Sequence, residues 1–527
     1  MLRIEVKTPI DGTYDLKQLA AHQHRISEND IEQMHIVRRS LDARIGREPK
    51  YLYILDLEVR HEKKYAAHLK KDARIVEPFV YHSPDPGEQP LERRPVVVGF
   101  GPAGMAAALL LARKGYRPIV IERGPAIEER QNSVNSYWHG NTLDPEKNIQ
   151  FGEGGAGAFS DGKLTTRVKD PRVPMILDEL VKAGADPSIV WINHPHIGTE
   201  KLCEIDIRIR KTIESLGGEV RFNTRLDDIR LNKDHVESII TDTKEEIPCS
   251  ILILATGHSA RDTFRMLGTK EPLLLQPKNF AVGVRVEHLQ SFIDAQQYKS
   301  IQDYTSLPPA EYHLSHTSSL GKGCYSFCMC PGGYVVASAS NPDTIVTNGM
   351  SYAKRDGTNA NSALIVQVDQ KDFGPGLYDG MNFQDRLEKK AWVLGKQKAP
   401  AEMIRHYLHK GDNNIGSITP TYSIGVTMTD MHELFSDPIN QSLTEMLEHT
   451  ESIFPGFSYG DGIMTGVETR TSSPIRIVRD FTTMESGIKG MYPCGEGAGY
   501  AGGIVSSAID GIKAAEAVIA RYHPVYD

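Results

Sequence analysis

The stretch that most constrains the fold is residues 94–124, RPVVVGFGPAGMAAALLLARKGYRPIVIERG. Pro95 to Val98 is a short apolar run of buried-strand type, followed at once by Gly99-x-Gly101-x-x-Gly104. An Ala/Leu-rich helical segment then runs to Lys114-Gly115, and a second apolar run, Ile119-Val120-Ile121, closes on Glu122. Strand, glycine turn, helix and strand in this order, with an acidic residue about 20 positions on, form the β–α–β dinucleotide fingerprint. Gly99 allows the tight turn, Gly101 lets backbone approach a pyrophosphate, and Gly104 lets the helix pack close to the strand. The helix start offers N–H groups and a positive dipole end to the phosphates. Glu122 can accept hydrogen bonds from ribose hydroxyls. Phe100, Pro102, Ala103 and Arg123 fall within or beside the same cradle. The pattern predicts binding of FAD or NAD through adenosine diphosphate.

At 527 residues the chain has room for two to four domains. A net charge of −8 offers no general basic surface for nucleic acid. The amino terminus lacks a basic-then-apolar signal segment, and no run approaches the ~20 apolar residues of a membrane span. A cytoplasmic protein is expected. Six cysteines in so long a chain do not make a disulfide framework.

Residues 1–90 read as a small α/β module. Leu2 to Val6, Ile36 to Ile45 and Tyr51 to Val59 are strand-like; Leu16 to His24 and Glu62 to Lys71 are helical in type. The Arg38-Arg39, Lys63-Lys64 and Lys70-Lys71 pairs read as a solvated face rather than an RNA clamp. Ser83-Pro84-Asp85-Pro86-Gly87 marks a linker.

Beyond Glu122, Ile127 to Tyr137 reads as helical, and residues 151–167, FGEGGAGAFSDGKLTTR, follow. Its Gly152, Gly154 and Gly157 repeat the glycine spacing, but no buried strand precedes them, so it is not a second fingerprint. A glycine-rich run inside a folded domain points instead to backbone packed against a flat ligand. Ser160, Asp161, Gly162 and Lys163 close it with a hydroxyl, an acceptor and a cation. Pro174 to Lys182 and Glu200 to Leu216 read as helices, and Glu219 to Phe222 and Leu226 to Leu231 as strands. Ser250 to Gly257 is a buried strand whose Ala255, Thr256 and Gly257 reach a nucleotide cleft. His258 beside it reads as a hydrogen-bonded structural residue.

From about Asn279 the composition turns to β, and Cys324 to Ser340 reads as a hairpin turning at Pro331-Gly332-Gly333. Alternation would put Cys324, Ser326, Cys328 and Cys330 on one face, as small buried residues rather than metal ligands. Phe383 to Lys396 and Asp437 to Ile453 read as helices. Glu468, Arg470 and Arg476 are charges in need of partners. Near the end, Gly490 to Pro493 is a strand, followed by Cys494-Gly495-Glu496 and by a glycine-rich helix entrance at Gly502-Gly503-Ile504. The helix runs on to about Arg521. A remote second contact of this kind suits FAD, whose ribityl chain and ring extend away from the first site. The dipole of this helix would stabilise negative charge on a reduced flavin.

In this order the pieces resemble the glutathione-reductase-like FAD flavoproteins, in the branch where a substrate domain interrupts one FAD-binding domain. Within that branch, which includes aromatic hydroxylases and geranylgeranyl reductases, FGEGGAGAFSDGKL, ATGHSARD, SFCMCPGG, VETRTSSPIR and PCGEGAGYAGGIVSSAIDG look like blocks of the FAD-dependent dehydrogenases. The resemblance implies that Gly99 to Gly104 hold the pyrophosphate, Glu122 the ribose, and backbone near Leu226 the adenine. It also places Thr256 and Gly257 in the cleft, Glu496 near the ribityl or pyrophosphate portion, and Gly502 to Ile504 at the flavin. Gly495 belongs to the same turn.

The expected fold class is α/β: a three-layer Rossmann-like FAD-binding domain (91–277 and 461–527), an inserted, mostly antiparallel substrate domain (278–460) and the N-terminal module (1–90). The expected activity is FAD-dependent hydride transfer through flavin N5 to or from a small molecule; whether NAD(P)H is the donor stays open, and with no second fingerprint it would have to bind transiently. Lys163, Arg285, His288 and Arg470 are the catalytic candidates, and no metal is expected. Two alternatives stay open, a tRNA- or nucleic-acid-modifying flavoprotein and a non-catalytic flavin binder.

Overall fold

The computed structural model describes residues 1–44, 48–66, 73–77, 80–166, 168–299, 301 and 303–525. Five short strands form an all-parallel sheet in the order Met491–Pro493, Leu252–Leu254, Val96–Val98, Ile119–Ile121, Glu219–Arg221. Its central strands are covered on both faces, which is why they read as unbroken apolar runs. Alternate side chains go to opposite layers. Val97, Val120, Ile253 and Tyr492 pack on the Pro102–Arg113, Thr199–Ser215 and Ile504–Arg521 helices. Val96, Val98, Ile121 and Leu254 pack on an antiparallel sheet of Leu226–Asn232, His235–Thr241 and Glu246–Pro248. Helices, parallel sheet and small sheet make three layers.

The fingerprint helix and the C-terminal helix meet backbone to backbone. A Cβ on Gly511 would lie 2.0 Å from the Ala103 carbonyl oxygen, and one on Gly104 would lie 1.9 Å from that of Gly99. Glycine at these two positions brings the first and last glycine-rich turns to the same end of the sheet.

The chain leaves and re-enters this fold through a two-stranded ribbon, Leu275–Pro277 against Ile475–Ile477. Beyond the ribbon lies a seven-stranded sheet. Its order is Ser315–Thr317, Gly323–Cys330, Asn359–Val368, Phe280–Leu289, Ile463–Glu468, Ala399–Met403, Val426–Met428. Every neighbouring pair is antiparallel except the last. One face of the long Phe280–Leu289 strand, Val282, Val284 and Val286, packs into an apolar core with the Asp437–Ile453 helix. The other face carries Arg285 and Glu287, both buried.

Three sequence expectations are corrected here. Ile463–Glu468 pairs with Phe280–Leu289 inside the seven-stranded sheet, so the boundary drawn at 460 and 461 cuts through that sheet. Gly323–Cys330 and Tyr334–Ala337 are not a hairpin: the first pairs with Asn359–Val368 and the second with Thr347–Met350. Gly332, at φ +49°, redirects the chain between two sheets instead. Alternation also fails at the cysteines, because the register shifts between Phe327 and Cys330. The bulge re-aims Cys328, as such insertions do.

In the N-terminal module the Leu2–Pro9, Ile31–Asp42, Lys50–Val59 and Arg74–Ile75 strands form one antiparallel sheet. The Leu16–His24 helix packs on it, capped by Asp15, which accepts from the Lys17 and Gln18 amides. The second helix spans Glu62–Ala66, and Lys70-Lys71 lies outside the described residues. Arg39 is not part of a free basic face. Its guanidinium stacks between Tyr51 and Trp191, and its amide donates to the Trp191 carbonyl, docking the module on the nucleotide fold.

A side chain at position 511 is expected to force the two helices apart. Gly511→Val should lower the unfolding free energy by about 1–3 kcal/mol, the usual scale of overpacking. The readout is a lower urea midpoint at unchanged slope; an unchanged midpoint would mean the helices are not in contact.

Candidate functional site

A cleft of about 370 Å³ lies between the nucleotide fold and the seven-stranded sheet. One wall is the fingerprint: Gly99, Gly101, Pro102, Ala103, Glu122 and Arg123. Gly155, Ala156 and Gly157 of the second glycine-rich loop form another, with Ser160, Asp161, Gly162 and Lys163 after them. Leu226, Ala255, Thr256 and Gly257 line one end, and Glu496, Gly502, Gly503 and Ile504 also face in. The inserted sheet supplies Phe327, Cys328, Asn348, Glu468 and Arg470.

The two glycine-rich loops are held together through backbone. Gly154 donates to the Phe100 carbonyl at 2.9 Å. The buried Glu122 carboxylate accepts from the amides of Phe100 (2.8 Å), Gly124 (2.9 Å) and Gly152 (2.9 Å). Three donors leave part of its acceptor capacity for ribose hydroxyls. Buried Arg130 clamps the same loop, donating to the carbonyls of Asn148, Ile149 and Glu153. Burial lowers the Arg130 pKa to about 10.

These residues fit an ADP-containing cofactor. The fingerprint helix begins at Gly101 with no side chain capping its first amides, which leaves donors for a pyrophosphate. A Cβ on Gly257 or Gly502 would meet nothing, because both face open space. The Thr256 hydroxyl is buried without a hydrogen-bond partner.

Several candidates occupy other roles. The Phe100 ring is in the core against Phe222, and only its backbone reaches the loops. Gly104 and Gly495 do not line the cleft; Gly495 donates to Asp510, which pairs with Arg479. Arg123 is held by Glu146 and Asp262 and lies over the Phe151 ring. Asp161 is buried and ion-paired to Arg355, so it binds the glycine-rich loop to the inserted domain.

The catalytic candidates divide. Lys163 lines the cleft, 3.6 Å from Glu311. Arg470 lines it too, but its guanidinium is engaged by Glu388 at 2.8 Å and by the Ser259 and Ser340 hydroxyls. Arg285 and His288 are corrected: neither reaches the cleft. Arg285 is wholly buried in a bidentate pair with Glu468. His288 Nε2 donates to the Phe457 carbonyl at 2.7 Å, its ring packed against Phe292 and Phe457, and burial pushes its pKa down to about 4. Both sit on the long central strand, where alternation alone does not tell a lining face from a buried polar one.

His258, read as structural, does line the cleft. Burial and the cations of Arg470 and Arg261 push its pKa down to about 3, so the ring is neutral. Its Nε2 stands 3.9 Å from Glu496, whose carboxyl burial raises to about 7, with Lys278 opposing. The two form a neutral imidazole beside a carboxyl poised to hold or release a proton near pH 7.

Residues 279–471 match the family model described as FAD-dependent protein, C-terminal domain-like, and residues 1–58 match a domain of unknown function. An uncharacterised protein of Clostridium beijerinckii is 43% identical over 503 residues, covering 94% of each chain. The chain belongs to that protein's family. Menaquinone reductase of Mycolicibacterium smegmatis is 28% identical over 178 residues, 33% of this chain and 39% of that one. Among solved structures, a flavoprotein/dehydrogenase from Cytophaga hutchinsonii is 11% identical with a TM-score of 0.37, over 81% of this chain and 78% of that one. Glycine oxidase from Bacillus cereus is 14% identical with a TM-score of 0.32, over 81% and 95%. Among the described residues, no helix is long and apolar enough to cross a membrane.

The raised Glu496 carboxyl has a stability consequence. Unfolded, this group loses its proton near 4.5; folded, it keeps it to about 7. Its contribution is therefore full below about pH 4.5 and is lost as pH rises through about 7. Glu496→Gln, permanently neutral, should flatten the fall of the urea midpoint across that window. An identical pH slope in the variant would contradict the raised value.

Proposed function

We propose that this cleft holds FAD and that the protein is an oxidoreductase acting on a small organic molecule. The observation that carries the reading is one continuous cleft walled by both the fingerprint turn and the entrance of the C-terminal helix. When bound, the flavin supplies two-electron, hydride-transfer chemistry at N5.

The chain's own residues do the rest. The amides at the start of the Pro102–Arg113 helix bind the pyrophosphate, Glu122 takes the ribose hydroxyls, and backbone at Leu226 meets the adenine. The dipole end of the Ile504–Arg521 helix, where the Ser506 hydroxyl accepts from the Gly502 and Gly503 amides, favours negative charge on the flavin. Lys163 is the cation that attracts an anionic substrate or a substrate oxygen. Glu496, with neutral His258 beside it, holds a proton within the cleft and moves it as the pH crosses about 7. Phe327 and the inserted sheet shape the space left for substrate and exclude water from it. The partial similarity to menaquinone reductase supports quinones as one class of electron acceptor to try.

Purified protein is expected to be yellow and to release FAD on denaturation, one per chain. Gly101→Val, which fills the gap facing Gly155 where a Cβ would lie 3.7 Å from its Cα, should lose the flavin while keeping the fold. Anaerobic addition of NADH, NADPH, then a panel of hydroxy acids, amines and quinols should bleach the visible flavin band with one class only. An acceptor that restores the band within the turnover time distinguishes an enzyme from a flavin-binding sensor. Colourless protein that takes up no added flavin would overturn the reading.

A further inference from the structure

Two cysteines stand where the inserted sheet meets the cleft. The bulge at the end of Gly323–Cys330 puts Cys328 at φ +47°, a conformation that non-glycine residues adopt uncommonly, and turns it into the cleft wall near Lys163. Cys330 lies behind it, fully buried, with its sulfur 3.3 Å from the Cys328 carbonyl oxygen. Glycines make the room: a Cβ on Gly349 would come within 3.0 Å of the Cys330 sulfur and 2.3 Å of the Arg285 guanidinium, and one on Gly333 within 3.0 Å of the Cys330 Cβ. Arg285 donates to the Cys328 carbonyl at 2.9 Å.

The charge distribution separates this pair from every other cysteine. The Cys330 thiol, the Arg285 guanidinium and the Lys163 ammonium draw the Cys328 thiol down against its burial, while the Cys328 thiol and burial push Cys330 well up; Asp161 faces both and opposes the thiolate. Burial raises Cys203 and Cys324 to about 11 and Cys249 to about 12, and Cys494 goes up as well. Cys324 is directed away from the pair, to the Ser442 carbonyl at 3.5 Å. A thiolate facing a cleft with a thiol directly behind it is the arrangement of an attacking and a resolving cysteine.

We propose that Cys328 and Cys330 are a redox-active dithiol that exchanges two electrons with the flavin of the cleft. The exchange rests on the reading of the cleft as an FAD site. As the sulfur–sulfur bond forms, the Cys328 thiolate and the Cys330 thiol together give up two electrons and one proton. Bound oxidised flavin would supply the acceptor for those two electrons and one proton. The reverse reaction breaks the disulfide and returns the thiolate and thiol. Arg285 acts here as a positioning residue, fixing the Cys328 backbone and favouring its thiolate.

The test is an anaerobic reductive titration of the FAD-loaded protein, preceded by mild oxidation with a soluble disulfide. Two equivalents of a two-electron reductant per flavin are expected, one filling the flavin and one the disulfide. Alkylation under denaturing conditions, read by mass spectrometry, should find Cys328 and Cys330 protected together before reduction and both labelled after it. The other four cysteines should be labelled in both states. Cys328→Ser and Cys330→Ser should each bind flavin and take up a single equivalent. A single equivalent in the wild type, with both cysteines labelled after oxidation, overturns the proposal while leaving the flavin site standing. Protein that binds no flavin overturns the cleft reading and the exchange together. Alkylation after the same oxidation then shows whether the two cysteines bond at all.

Discussion

The cleft depends on backbone touching backbone at places where a side chain would not fit. Gly104 against Gly99, Gly511 against Ala103, and Gly154 bonded to Phe100 bring three glycine-rich segments, far apart in the chain, to one end of a parallel sheet. Glu122 fixes the arrangement by accepting three amides from two of those segments. A carboxylate with three backbone donors loses little by being buried. Both loops therefore keep a defined shape, and the uncapped helix amides remain available to a ligand.

The inserted domain closes the cleft through buried ion pairs as well as apolar contact, Val336 and Met350 packing with Ile127, Val134 and Phe159. Asp161 with Arg355, Glu468 with Arg285, and Glu388 with Arg470 are all buried or nearly so. Breaking such a pair leaves one charge stranded, which costs far more than the pair contributes. Asp161 with Arg355 ties the two halves together, the Arg285–Glu468 pair joins two strands of the inserted sheet, and together these charges set the electrostatics of the cleft. Arg285 acts on Cys328, Arg470 on His258, and burial, opposed by Lys278, on Glu496.

Much of this was legible in the amino-acid sequence, for local reasons. The Asp437–Ile453 and Ile504–Arg521 helices begin and end where their apolar spacing and flanking residues place them. The buried strands announce themselves as VVV, IVI and LIL. The glycine turns identified most of the residues that meet on the cleft, because a glycine-rich run within a fold needs a close neighbour. What stayed hidden was non-local. Arg285 and Glu468 are 183 residues apart, and no periodicity says that they neutralise each other. The single bulge after Phe327 takes Cys328 out of the strand alternation and onto the cleft wall, and Gly332 breaks an apparent hairpin. His258 looked structural because its partner in the cleft, Glu496, lies near the other end of the chain.

The central claim is that one cleft grips one long cofactor at both ends. Hydrogen exchange of backbone amides with and without added FAD tests it most directly. Binding of one FAD per chain should slow exchange together at residues 99–105, at 152–157 and at 503–507, with a common dependence on FAD concentration. Protection of the fingerprint turn alone, with the C-terminal helix entrance exchanging as before, would contradict the account.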